Sequence, residues 1–140
     1  MKSARVILCG VIILGMSVQA VATEREEVRL YNQGVAANKR GDLNEAIRCY
    51  SKAIKLRPDS SALFFVRGRA YRLNKQYDNA ISDLTRAIAL KPSYAEAYNH
   101  RGVAYVGKGL NQQAMADFKK ACEFGCRDGC ANVKIFKERK

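Results

Sequence analysis

Beyond about residue 27 the apolar positions recur at intervals of three and four, not two. The run Ala80, Ile81, Leu84, Ala87, Ile88 lays one apolar stripe along a helix and leaves polar residues on the opposite face. Breaks fall at regular points. Gly41-Asp42, Asn74-Lys75 and Gly109 predict tight turns. Arg57-Pro58-Asp59 and Lys91-Pro92-Ser93 predict helix ends, because proline disfavours helical geometry in the residue before it. The predicted fold class is all-α.

The pattern also repeats. Gly34, Gly68 and Gly102 stand 34 apart, as do Ala46, Ala80 and Ala114, and Ala53, Ala87 and Ala121. Large residues keep the same beat at Leu30, Phe64 and Tyr98, and at Tyr50, Leu84 and Phe118. The units are 27–60, 61–94 and 95–128, each a helix A, a turn and a helix B. Small residues at fixed points let two helix backbones approach, and the large ones fill the space beside them. An array of this kind leaves its last apolar face open unless something covers it. Residues 129–140, with Val133 and Phe136 at helical spacing and a basic opposite side, predict a capping helix.

The first 22 residues follow another pattern. Lys2 and Arg5 precede an apolar run from Val6 to Met16, and small residues stand at Ala20 and Ala22. A basic start, a short apolar run and a small-residue exit predict a cleaved signal peptide over 1–22, followed by a short linker at 23–26. An uncleaved anchor is the alternative reading. The expected localisation is export, to the periplasm in a Gram-negative bacterium and otherwise by secretion, with membrane contact only transient, through the signal.

The chain of 140 residues carries 25 Lys plus Arg against 13 Asp plus Glu, a formal charge of +12. For an exported protein nucleic acid is not an expected partner, so the charge points to acidic proteins or anionic surfaces. One histidine, His100, leaves little room for a His-based metal or catalytic site.

The three units resemble the tetratricopeptide repeat. Its 34-residue signature is matched by Phe64, Gly68, Tyr71, Ala80, Leu84, Ala87 and Pro92, and by Tyr98, Gly102, Tyr105, Ala114, Phe118 and Ala121. The first unit matches at Leu30, Gly34, Ala46, Tyr50, Ala53 and Pro58. Departures are polar Gln33, Arg67 and Arg101 at the seventh position, Ala37 in place of tyrosine, and Cys126 where a third proline is usual.

The resemblance implies a solenoid that binds a peptide or protein segment on the concave face lined by the A helices. The residues it places there are Tyr31, Asn32, Val35, Asn38 and Lys39, then Phe65, Val66, Arg69 and Arg72, then Asn99, His100 and Val103. Such a groove could hold an extended segment by its backbone and place an acidic group on Arg69 or Arg72. One subtype of the family grips a C-terminal carboxylate with Lys, Asn and Arg side chains. Here those places hold Tyr31, Val35, Val66, Glu96 and His100, so that clamp is not expected.

The expected function is a protein-protein interaction module, an adaptor or assembly factor, with no enzymatic activity and no cofactor. Neither a phosphate-binding G-x-x-x-x-G-K-[ST] loop nor a G-x-S-x-G elbow occurs. The alternatives are a cysteine-based redox or metal-binding protein, or a hydrolase of the Sel1-like type. Cys122, Cys126 and Cys130 recur every four residues near Gly125 and Gly129, without a C-x-x-C pair. That stretch also resembles cysteine-rich Sel1-like repeats, whose bridges staple neighbouring helices. A Cys122–Cys130 disulfide is the expected pairing; Cys126–Cys130 and idle thiols are its rivals.

Overall fold

The computed structural model describes residues 18–138. They form seven helices: α1 Val18–Lys39, α2 Leu43–Leu56, α3 Ser61–Leu73, α4 Tyr77–Leu90, α5 Ala95–Gly107, α6 Asn111–Glu123 and α7 Arg127–Glu138. No strand occurs among the described residues. Each odd-numbered helix from α1 to α5 packs on its successor, and each pair packs on the next, which is an all-α helical-repeat fold.

The recurring small residues set the packing distance. A Cβ at Gly34 would come within 2.5 Å of the Tyr50 ring, one at Gly68 within 2.9 Å of Leu84, and one at Gly102 within 2.7 Å of Phe118. The alanines Ala46, Ala80, Ala114, Ala53, Ala87 and Ala121 are all fully buried. The core is thus a ladder of one small and one large residue per pair, filled as densely as a protein interior requires.

The turn inside each pair uses a left-handed residue at the same place, Gly41, Lys75 and Gly109. Glycine reaches that conformation without steric cost, whereas Lys75 at φ 58° does so against it.

The turn after α6 explains the missing proline. Gly125 is left-handed at φ 91°, and Gly125 N–H donates to Cys122 O while Cys126 N–H donates to Ala121 O. Lys75 and Gln76 make the same two bonds to Arg72 and Tyr71. The chain therefore closes with the turn used inside a pair, not the proline turn used between pairs. The last helix accordingly starts at Arg127 and not at 129.

Residues 23–26 are helical and not a linker. Nothing in Thr23-Glu24-Arg25-Glu26 breaks a helix, and the segment is fastened to the end of α2. Arg57 reaches Glu27 at 3.1 Å and Glu24 at 3.9 Å. Residues 1–17 of the expected signal peptide lie outside the described residues, and 18–22 open α1. No helix among the described residues is long and apolar enough to cross a membrane.

Arg67 and Arg101, the polar seventh-position residues, form a repeated link between pairs. Arg67 donates through Nε and Nη2 to both carboxylate oxygens of Asp83, at 2.7 and 2.8 Å, and through Nη1 to Ser51 Oγ at 3.0 Å. One unit later Arg101 does the same to Asp117, at 2.8 Å twice, and to Thr85 at 2.9 Å. Each arginine so joins α3 or α5 to its own B helix and to the preceding one. In the first unit Gln33 and Cys49 occupy these places, and the buried Cys49 thiol donates instead to Glu45.

Candidate surface on the A helices

The residues expected to meet a ligand lie on α1, α3 and α5, and the structure gathers only some of them. Phe65 is the centre. Its ring lies 4.8 Å from that of Tyr94 and 5.4 Å from that of His100. Arg69 and Arg72 are half-buried and stand three apart on the same side of α3. Both push on the protonation of His100, which marks them as its charged neighbours.

The other expected residues divide. Val35 and Val66 fill the seam against Ala37, Ala46, Tyr50 and Ala70, so they serve the core as much as a surface. Tyr31 is half-buried, with its ring 6.1 Å from Tyr50. Asn32 and Lys39 are exposed on α1, and Val103 is half-buried on α5. Asn99 is taken by the fold. It is buried, and its Oδ1 accepts a 2.9 Å hydrogen bond from Asn132 of α7.

Sequence reasoning missed Tyr94. It precedes α5, beyond the end of the A-helix stripe, and Lys91 Nζ sits 4.7 Å above its ring. The available signal was an aromatic residue directly after Lys91-Pro92-Ser93.

The electrostatics of this surface are one-sided. Neither Arg69 nor Arg72 has a carboxylate partner among the described residues, in contrast to Arg29, Arg48, Arg57, Arg67 and Arg101. Burial, and then Arg69 beside it, push the Arg72 guanidinium below its ordinary range. Burial, then Arg72, then Arg69, hold His100 down at about 4, so its imidazole is neutral near pH 7. Among the described residues, three buried side-chain atoms have no hydrogen-bond partner: Asn38 Oδ1, Arg72 Nε and His100 Nδ1. Unpaired buried polar atoms are uncommon in folded proteins, and all three belong to A-helix residues.

The depressed His100 has a consequence for stability. A histidine whose folded pKa lies below its unfolded value binds fewer protons when folded. Its contribution is therefore complete above about pH 6.5 and lost as pH falls toward 4. Urea unfolding at pH 7 and pH 5 is expected to show lower stability at pH 5. A His100→Gln variant should show a smaller difference between the two.

Among the described residues no three His, Cys, Asp or Glu side chains converge as a metal ion would require. Cys122 and Cys130 lie on α6 and α7 with Cα atoms 4.6 Å apart and sulfurs at bonding distance, while Cys49 and Cys126 are free thiols.

Comparison with known proteins locates this architecture. Family models described as tetratricopeptide repeat match residues 29–60, 49–82 and 95–124, and one described as TPR repeat matches 68–109. Small glutamine-rich tetratricopeptide repeat-containing protein 2 of Saccharomyces cerevisiae is 32% identical over 70% of this chain and 28% of its own length. Heat shock protein STI1 of the same organism is 30% identical over 71% of this chain and 17% of its own. The chain thus spans under a third of either relative. Among solved structures, the first TPR of Spaghetti (RPAP3), bound to the HSP90 peptide SRMEEVD, superposes with a TM-score of 0.77 at 27% identity. That match covers 82% of this chain and 93% of that one.

The expectation of an exported, periplasmic or secreted protein is corrected by this comparison, because the relatives it matches, a heat shock protein and a small glutamine-rich tetratricopeptide repeat-containing protein, do not support export. The small residues Ala20 and Ala22, read as a cleavage signal, stand inside the continuous helix α1. From its recurring residues, its paired helices and the matches along 29–124, the chain belongs to the tetratricopeptide repeat family.

Proposed function

We propose that the chain is a protein-protein interaction module whose A helices line a groove for an extended segment carrying an acidic group. The observation that carries this reading is the uncompensated positive charge of Arg69 and Arg72 beside buried atoms that lack partners. Burying a guanidinium without a counter-charge is costly, so a carboxylate arriving there gains more than it would at an exposed lysine. Phe65, Tyr94 and Val103 offer apolar contact on either side. The Spaghetti domain, similar in fold, holds an acidic peptide, which agrees with a ligand of this chemistry. The reading is of a binding module, an adaptor or assembly factor, and not of an enzyme.

The test uses fluorescence anisotropy with labelled SRMEEVD peptide as the probe. Saturable binding is expected, and Arg69→Ala with Arg72→Ala should weaken it at least about tenfold, given roughly 1.5–3 kcal/mol per charge-assisted hydrogen bond. Circular dichroism should remain helical. Unchanged affinity in a folded double variant would remove the site from this face.

We also propose that the Cys122–Cys130 bridge fastens α7 over the last pair. Closing so short a loop contributes on the order of 2–3 kcal/mol. Reduction with a thiol should speed amide exchange across α7 while leaving α3 and α4 protected. Equal exchange in both states would show that Gly129 and Phe136 hold the cap unaided.

A further inference from the structure

We infer that this groove contains a subsite for one internal carboxylate side chain, an Asp or Glu within an extended segment, formed by Arg69 and Arg72 of α3 and by Nδ1 of His100 on α5. The inference rests on the groove reading above and names what the groove selects. Two arginines three apart on one helix face present their guanidinium groups to the same space, and neither is neutralised by the fold. Arg72 Nε and His100 Nδ1 are both buried and both without partners, so one group bearing two acceptor oxygens can satisfy them together. The Phe65 ring, held between those of Tyr94 and His100, walls one side and suits an apolar neighbour in the segment.

A terminal carboxylate is the less suitable occupant. The places that grip a chain end elsewhere in the family hold Tyr31, Val35 and Val66, which carry no cation, Glu96, which repels one more negative charge, and His100, which is neutral near pH 7 in the free chain. The arginine pair stands at other positions of the A helix.

The charged groups facing His100 are Arg69 and Arg72 from α3 and, weakly opposing them, Asp128 from the first turn of α7. A carboxylate set between the arginines and the imidazole reverses the local field and favours the imidazolium. Binding then takes up a proton, so affinity rises as pH falls from 7 to 5, above the range where the ligand's own carboxylate protonates.

The test compares three labelled heptapeptides against the full chain: SLVEEVL as C-terminal amide, SLVQQVL as amide, and SLVQQVL with a free terminal carboxylate. The Glu amide is expected to bind at least about tenfold more tightly than the Gln amide, with the free acid close to the Gln amide. Equal binding of all three overturns the carboxylate subsite and leaves the groove reading standing. Preference for the free acid overturns the internal occupant in favour of a chain end. No binding of any of the three overturns the groove reading together with the subsite. The variants are Arg69→Gln and His100→Gln. Arg69→Gln should shrink the Glu-to-Gln ratio severalfold. His100→Gln should weaken binding of the Glu amide severalfold at pH 7 and abolish its rise at pH 5; a rise that persists removes His100 from the subsite.

Discussion

Phe118→Ala is expected to lower the stability of the chain by about 3–5 kcal/mol, the cost of deleting a fully buried aromatic ring. The Phe118 side chain is 1% exposed, lies where a Cβ on Gly102 would collide with it, and faces the Phe136 ring at 5.5 Å. It therefore joins α5, α6 and α7 at one point. The void left by alanine has glycine on one side, which offers no side chain to fill it. Since a repeat contacts only its neighbours, the loss should fall first on the last pair and the cap. Urea unfolding should show an early partial transition, with hydrogen exchange accelerated in α5 to α7 before α1 and α2. Phe118→Leu should cost much less, because leucine fills the same place as Leu84 in the preceding unit.

Asp83→Ala should cost nearly as much for a different reason. It leaves the Arg67 guanidinium, whose side chain is 18% exposed, with Ser51 as its one remaining hydrogen-bond acceptor. Removing one member of a buried pair typically costs about 3–5 kcal/mol, and the solvent still reaching Arg67 brings the expectation to roughly 2–4 kcal/mol. The Phe64 and Tyr71 rings, each 5.8 Å from the guanidinium carbon, stay as a partial shield. The double variant Arg67→Met with Asp83→Leu should recover most of the loss, because it takes both charges out of the seam. A double variant as unstable as Asp83→Ala alone would show that the seam needs the pair itself.

These two sites mark where the sequence was legible and where it was not. The ladder containing Phe118 could be read directly, because a glycine, two alanines and a large residue recur at one period and each has a packing reason. The Arg67–Asp83–Ser51 link obeys the same period: Arg67 and Arg101, Asp83 and Asp117, and Ser51 and Thr85 are all 34 apart. It is hard to see because these polar columns depart from the family pattern, and nothing in the sequence alone marks them as partners of one another. The turn at Gly125 was hidden for the opposite reason. Its glycine was visible, but only the backbone hydrogen bonds show that it repeats the turn inside a pair. On the A-helix surface, periodicity places Phe65, Arg69 and His100 on one side. It does not foresee that α7 would return to bury Asn99, or that Tyr94 would lean in from the preceding turn. The reading of residues 1–22 as an export signal used local composition alone. The helix that runs on from Ala20 and Ala22 is tied by Glu24 and Glu27 to Arg57, far along the chain.

The central claim is that the A-helix groove, and not the outer face, receives an acidic segment. Chemical-shift mapping tests it most directly. The intact chain, labelled with nitrogen-15, is titrated with unlabelled SRMEEVD peptide, and backbone amides and Arg Nε–H signals are followed together. The account predicts that the largest changes fall on Phe65, Arg69, Arg72 and His100, with the Arg72 Nε–H signal moving as it gains a partner. Changes confined to α2, α4 and α6, with the Arg69 and Arg72 signals unmoved at saturation, would contradict it.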